Sequence, residues 1–369
     1  MTIKFNFPDN LKKNTVVIFD HDLGGGTAFF RSRLIDEYLQ NEWAIILVKS
    51  KDQQKQRAIQ LTWYDKNEVV ESSLMESAQV FALLSKLKPQ NIYVNSIVSF
   101  RPFIIFIKEL FAFLSHISNA NIKVAIHDFY PICPSLNLLN YEWKFCNVPD
   151  ETECIKCRSR HHSGMLKEPA ITDWRLTWAQ IFVISTEVIV FSESSKKIML
   201  KAFPDLNYKI TIRPHSMRYF NPQTIFNPVI KPTHIGVIGH ITRAKGAAVI
   251  ECLSNYMERY APEIKITIFG NITIEISNNN VCVLGHYEIN KLPELIEKQN
   301  ITVFFMPSIC PETFSFATHE LILMQYPVVA FNLGAQGDTI KKYPRGKVVE
   351  PSISMKELFN TLNLLSLSI

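Results

Sequence analysis

The sequence predicts an α/β protein of two doubly wound domains, and three observations predict it. Short β-branched runs alternate with helix-period segments, the pattern of parallel strands joined by crossover helices. The alternation runs through the chain twice. Between the two passes, 214-PHSMRYFNPQTIFNPVIKP-232 holds four prolines and no periodicity, as a junction between domains does. A chain of 369 residues with 47% hydrophobic and 20% charged residues can bury two cores.

In the first half, strands are expected over 15–20, 43–48, 91–95, 122–127 and 188–192, each apolar and rich in Val and Ile. Helices are expected at about 27–40, 72–87, 100–118 and 194–203. In the second half, strands fall over 234–239, 263–270, 281–285, 302–306 and 327–331, with helices near 245–260, 290–299 and 316–325. A last helix is expected over 354–366. Each domain then opens its ligand face at the carboxyl ends of its strands, and the space between the domains is the default active site.

Charge and cysteines exclude several classes. A net charge of +5 is too weak and dispersed to argue for nucleic acid, and no basic–aromatic recognition motif occurs. It suits a phosphate-bearing substrate or an anionic membrane surface. No run reaches the roughly 18–20 apolar residues of a membrane span, and the start, MTIKFNFPDNLKKN, lacks the apolar core of a secretory signal. A cytoplasmic location is expected, so the seven cysteines do not read as a disulfide framework. Four of them, Cys133, Cys146, Cys154 and Cys157, lie in an insert without clear periodicity. They offer a structural zinc site, an iron–sulfur site, or free thiols, with His161 and His162 as spare ligands.

The most informative stretch is 307-PSICPETFSFATHELILMQYPVVAFNLGAQGD-338. Glu312 falls on a Pro-rich loop after an apolar strand, and Glu320 falls eight positions on, inside the following helix. The backbone N–H groups of Phe314, Ser315 and Phe316 lie at the helix start, a natural anion site. Carboxylates suited to sugar hydroxyls thus flank donors suited to phosphate. Two further loops fit that chemistry. In 20-DHDLGGGTAFF-30, Gly25 and Gly26 let backbone approach a ligand and Thr27 can cap the next helix. In 236-GVIGHITRAKGAAVI-250, Lys245 and Arg243 bring cations to a helix start.

The Glu312–Glu320 spacing resembles the Glu-x7-Glu signature of retaining glycosyltransferases with the GT-B fold, family 4 in particular. Gln325-Tyr326 stands where that family usually has a small pair. Gly239, Lys245 and Gly246 match its phosphate-binding element, with His240 in place of the usual Arg and Arg243 as its substitute. His127, in 126-IHDFYP-131, matches the family His that reaches the donor sugar. Ser192 matches a helix cap, Arg213-Pro214-His215 a hinge, and Trp174, Arg175 and Trp178 either border an acceptor or pack.

The resemblance implies two Rossmann-like domains facing a cleft: 1–216 with the Cys-rich insert 128–165, then 217–352, then a helix over 353–369 crossing back to the first domain. It implies a nucleotide-diphosphate sugar donor, with Glu320 on ribose, Lys245 and the 314–316 amides on the diphosphate, and Glu312 with His127 on the sugar. Transfer would retain configuration and need no metal cofactor. The acceptor would be a glycan or a polyprenyl-linked glycan of bacterial surface polysaccharide or O-antigen type, with peripheral contact at the inner face of the plasma membrane. The helix over 100–117, apolar nearly all round, would be buried or would touch that membrane. A sugar-nucleotide epimerase, a non-catalytic module of a larger assembly and a metal-dependent hydrolase stay open as alternatives.

Overall fold

The computed structural model describes residues 14–53, 56–65, 68–117, 119–162, 170–222, 225–227 and 232–367. The chain divides into two compact units. One takes the chain up to Leu136 together with Val148–Arg213; the other takes Asn137–Asn147 and the chain from Pro214 onward.

The first unit runs β1 (Thr15–Asp20), α1 (Gly25–Gln40), β2 (Ala44–Gln53), β3 (Gln56–Asp65), β4 (Glu68–Met75), α2 (Ser77–Leu84), β5 (Asn91–Val94), α3 (Phe103–His116), β6 (Asn121–Ala125), α4 (Glu151–Arg160), α5 (Ile171–Ile184), β7 (Glu187–Val190), α6 (Glu193–Ala202) and β8 (Ile210–Ile212). Its sheet has the order β4-β3-β2-β1-β5-β6-β7-β8. β1 is buried along its whole length, as a strand covered on both faces must be. Pairing is parallel except for β2–β3 and β3–β4, which are antiparallel.

That β3–β4 ribbon corrects the reading of 72–87 as a helix, since strand continues to Met75 before α2 begins. Ile59, Leu61 and Trp63 alternate inward at a period of two, the pattern of a strand. The helix expected from 27 starts at Gly25, capped by Gly24 at φ +77° with no side-chain cap. Thr27 therefore lies inside the first turn and does not cap it. Ser192 does cap α6, accepting from the Ser195 N–H. The helix α3 buries Phe103, Phe106, Ile107, Leu110, Phe113 and Leu114. Trp174 and Trp178 are buried as well, with Trp174 stacked on Phe103 at 4.1 Å. Both tryptophans serve packing.

The second unit runs β9 (His234–Ile241), α7 (Ala247–Tyr260), β10 (Lys265–Ile272), β11 (Val281–Val283), α8 (Leu292–Lys298), β12 (Val303–Met306), α9 (Phe316–Leu323), β13 (Val328–Phe331), α10 (Gly334–Lys341), β14 (Gly346–Val349) and α11 (Met355–Leu367). Its sheet has the order β11-β10-β9-β12-β13-β14, with every strand parallel to its neighbours. The sequence reading found neither α10 nor β14. The helix α11 buries Leu358 and Leu362 in the second unit's own core, against β12, β13, β14 and α7.

Each sheet reverses its winding at one point. In the first, β1 leads outward to β2 on one side and to β5 on the other; in the second, β9 leads to β10 on one side and to β12 on the other. Loops diverge at such switch points and leave a crevice at the strands' carboxyl ends. Among the described residues, no helix is long and apolar enough to cross a membrane.

Candidate functional site

In the second unit the switch point lies between β9 and β12. Lys245 follows β9, and Gly246 caps α7 at φ +88°. A side chain at Gly246 would overlap Pro307, with its Cβ 2.7 Å from the Pro307 carbonyl carbon. The absence of that Cβ lets the two loops touch, and the Ile309 N–H donates to the Ala244 carbonyl at 3.1 Å. Lys245 Nζ consequently lies 3.8 Å from Glu312 Oε1. The ammonium is nearly half exposed and the carboxylate mostly covered. A pair of this kind is worth about 0–1 kcal/mol, so an incoming polyanion can recruit the lysine.

Glu312 is fixed from several sides. Ser308 Oγ donates to its Oε1, and its own backbone N–H donates to Gln336 Oε1 at 3.0 Å. Gln336, fully buried at the start of α10, donates in turn to the Cys310 carbonyl at 2.9 Å. Gly334 has φ +53°, and a Cβ there would sit 2.5 Å from the Glu312 nitrogen. The turn after β13 thus closes directly on the carboxylate loop.

The helix α9 opens at Ser315, held at φ +68° with no side-chain cap on its first turn. The Ser315 hydroxyl instead shares a hydrogen bond with Thr318 Oγ1 at 2.8 Å. First-turn amides without a cap are donors for an anion. Around them Phe314 stacks on His319 at 4.1 Å, and His215 stacks on Phe316 at 4.8 Å. Burial pushes the His319 imidazole below its ordinary value. Glu320 is buried within α9, and Tyr219 Oη donates to its Oε1 at 2.6 Å. Burial raises the Glu320 carboxyl, and the tyrosine partly offsets this.

Arg243 is engaged elsewhere. Its guanidinium lies 4.2 Å from the centre of the Trp143 ring, on the 137–147 stretch of the insert that belongs to this unit. Leu139, Ala244 and Cys310 form a small apolar cluster beneath that contact, with Trp143 packed against it.

In the first unit the switch point lies between β1 and β5, and two buried polar residues end those strands. Asp20 Oδ2 accepts from Arg31 at 2.8 Å and from Asn95 Nδ2 at 3.0 Å, while Oδ1 accepts from the His21 N–H at 2.7 Å. Burial raises the Asp20 carboxyl, against the pull of His21, Arg31 and Asn95. Asn95 Oδ1 lies 2.7 Å from His127 Nε2. The His127 ring packs between Phe30 and Phe191, with centroids at 5.0 and 4.6 Å. Next to it, burial pushes the Asp128 carboxyl up to about 6, the Tyr130 N–H opposes this, and the Asp20 charge adds to it. Gly24 and Gly25 take positive φ in the turn before α1. Gly26 falls in the first turn of that helix.

No family model and no curated protein matches the sequence. Solved structures do match the fold. Sucrose-phosphate synthase from Thermosynechococcus elongatus is 13% identical over 96% of this chain and 90% of that one, with a TM-score of 0.62. The apo lipopolysaccharide outer core galactosyltransferase WaaB is 11% identical over 96% and 90%, with a TM-score of 0.58. HepE of Anabaena, solved with UDP, is 14% identical over 95% and 89%, with a TM-score of 0.56.

The fold is GT-B.

Within this GT-B chain, the structure gathers Lys245, Glu312 and the start of α9 with Glu320 in one unit. His127, Gly25 and Gly26 lie in the other. Among the described residues no group of three or more His, Cys, Asp or Glu side chains is placed to hold a metal ion. The insert is divided, with Cys146 in the second unit and Cys133, Cys154 and Cys157 in the first. Burial raises the Cys154 thiol, and Arg175 Nη2 donates to its Sγ at 3.6 Å. Part of the insert's order comes from Arg175 Nε and Trp174 Nε1, which donate to the Ile132 and Tyr130 carbonyls. Asp150 adds an N-cap to α4, a helix the sequence reading did not find.

Proposed function

We propose that this protein is a retaining glycosyltransferase that moves a sugar from a nucleotide-diphosphate donor to a glycan or polyprenyl-linked acceptor. The observation behind this reading is the 3.8 Å approach of Lys245 to Glu312 at the second unit's switch point, followed along the chain by the start of α9, which has no side-chain cap, and by Glu320. Lys245 and the Phe314–Phe316 amides bind the diphosphate. Glu320, held by Tyr219, takes the ribose hydroxyls, and Glu312 takes hydroxyls of the transferred sugar. The aromatic surface of His215, Phe314 and Phe316 offers a base a stacking platform. In the first unit, His127 is a hydrogen-bonding partner for the sugar, and the Gly24–Gly26 turn lets backbone approach donor phosphate and acceptor.

In the transfer step, the bond between the anomeric carbon and the diphosphate oxygen breaks and the nucleoside diphosphate departs. The acceptor hydroxyl forms its new bond on the same face, and its proton passes to the departing phosphate oxygen. Lys245 and the helix-start amides stabilise the charge growing on that oxygen, the task a divalent cation performs elsewhere. Solved GT-B neighbours include proteins captured with UDP, with UDP-glucose, and with ADP and acarbose. A role in bacterial surface polysaccharide synthesis, with peripheral contact at the inner face of the plasma membrane, belongs to the same proposal.

A thermal-shift screen of UDP-, GDP- and dTDP-sugars tests it, because binding stabilises the folded state by RT ln(1 + [L]/Kd). One of these donors should raise the melting temperature. Lys245→Ala and Glu320→Ala should each weaken that donor by about 10- to 100-fold, the worth of one charge-assisted hydrogen bond. Unchanged donor use in both variants would end the assignment.

A further inference from the structure

The first unit's switch point holds a chain of three polar side chains, and its hydrogen-bonding logic fixes the state of His127. Asp20 is buried, and its carboxylate meets the Arg31 guanidinium, the His21 backbone N–H and the Asn95 amide. The first two are obligate donors, so the carboxylate acts as acceptor. Asn95, equally buried, must then turn its Nδ2 toward Asp20, because its carbonyl oxygen there would face a carboxylate. This orientation leaves Asn95 Oδ1 facing His127 Nε2 at 2.7 Å. An amide oxygen only accepts, so Nε2 must carry the proton. Phe30 and Phe191 pack on the imidazole, with centroids 5.0 and 4.6 Å away.

We infer that Asp20 and Asn95 are positioning residues that hold His127 with a proton on Nε2. The relay spans two strand ends and the start of β6's following loop, and β1, β5 and β6 are adjacent in the sheet. The Asn95 backbone N–H also donates to the Phe19 carbonyl at 2.9 Å, which ties it to β1 independently of its side chain. An imidazole anchored at Nε2 would present a fixed edge to the sugar; that functional consequence rests on the proposed transferase reading, and the protonation of Nε2 does not.

The test is nitrogen NMR on the full-length protein labelled with 15N-histidine. Long-range 1H–15N spectra distinguish protonated from bare ring nitrogens, and His127→Gln identifies the residue by removing its signals. The expected pattern at neutral pH is a protonated Nε2 for His127. Asn95→Leu, close in volume and unable to accept, should abolish the preference and shift His127 toward a mixture of tautomers. A bare Nε2 in the unsubstituted protein would overturn the inference, and so would an unchanged pattern in Asn95→Leu. The unsubstituted measurement stands even where the variant fails to fold.

Kinetics separate this inference from the functional reading. Asn95→Leu should lower kcat about tenfold with little change in donor KM, and should add nothing in a His127→Gln background. The expected tautomer with unchanged turnover would keep the relay and overturn the role of His127 in transfer. Equal losses from Asn95→Leu with and without His127 would show that Asn95 acts by another route, against the inference.

Discussion

Replacing Asp128 with Asn should make the protein more stable at neutral pH. Asp128 is enclosed near the end of β6, where its Oδ1 accepts from the Tyr130 N–H at 2.9 Å. Burial pushes its carboxyl from the ordinary 3.8 to about 6. The folded chain therefore holds this proton more tightly than the unfolded chain does. Stability from this group is complete below about pH 4 and falls as pH rises, until the carboxyl is fully charged above about pH 6. The full difference corresponds to about 3 kcal/mol, and residual solvent contact brings the expected effect down to about 1–2 kcal/mol. Asn keeps the acceptor oxygen and the shape but carries no charge. Urea titrations of both proteins at about pH 4, 5, 6 and 7.5 should give coincident midpoints at the acid end, with Asp128→Asn ahead at the alkaline end. A variant less stable at about pH 7.5, or an advantage that does not vary with pH, would refute the reasoning.

Two further changes probe the second unit. Gly246→Ala places a Cβ against the Pro307 carbonyl at φ +88°. It should destabilise by about 2–4 kcal/mol and weaken nucleotide binding, read by thermal shift with and without UDP; full binding would show that Lys245 and Glu312 need not stay together. Arg243→Gln removes the cation over Trp143, worth about 0.5–2 kcal/mol, and should speed proteolytic cleavage within 137–147 by about 2- to 30-fold. Unchanged cleavage would mean that the stacking does not hold that stretch in place.

Much of the site was legible because it is local. The eight-residue interval places Glu312 on a loop and Glu320 in a helix whatever the rest of the chain does, and Lys245-Gly246 marks a helix start by itself. The partners of these residues were not legible. Tyr219 lies 101 positions from Glu320, Gln336 lies 24 from Glu312, and Asn95 lies 75 from Asp20. No periodicity joins such pairs, and only the fold brings them together. Position at a switch-point strand end was the available signal for Asp20 and Asn95, and it went unused. The β3–β4 ribbon was misread because 72–75 completes a strand that abuts α2, so an apolar run was assigned a helical period. Cys154 and Cys157 share a turn of α4, while Cys146 belongs to the other unit, a division that spacing does not show.

The stretch 137–147 bears on how this chain could be dissected or recombined. Its codons sit in the first half of the coding sequence, yet its residues complete the body formed by the second. A gene fragment beginning at Pro214 would encode a lobe missing the indole beneath Arg243 and the leucine beside Ala244. Swapping halves between homologues at that codon would pair each lobe with a foreign patch. Chimaeras should keep 137–147 and 214–369 of common ancestry.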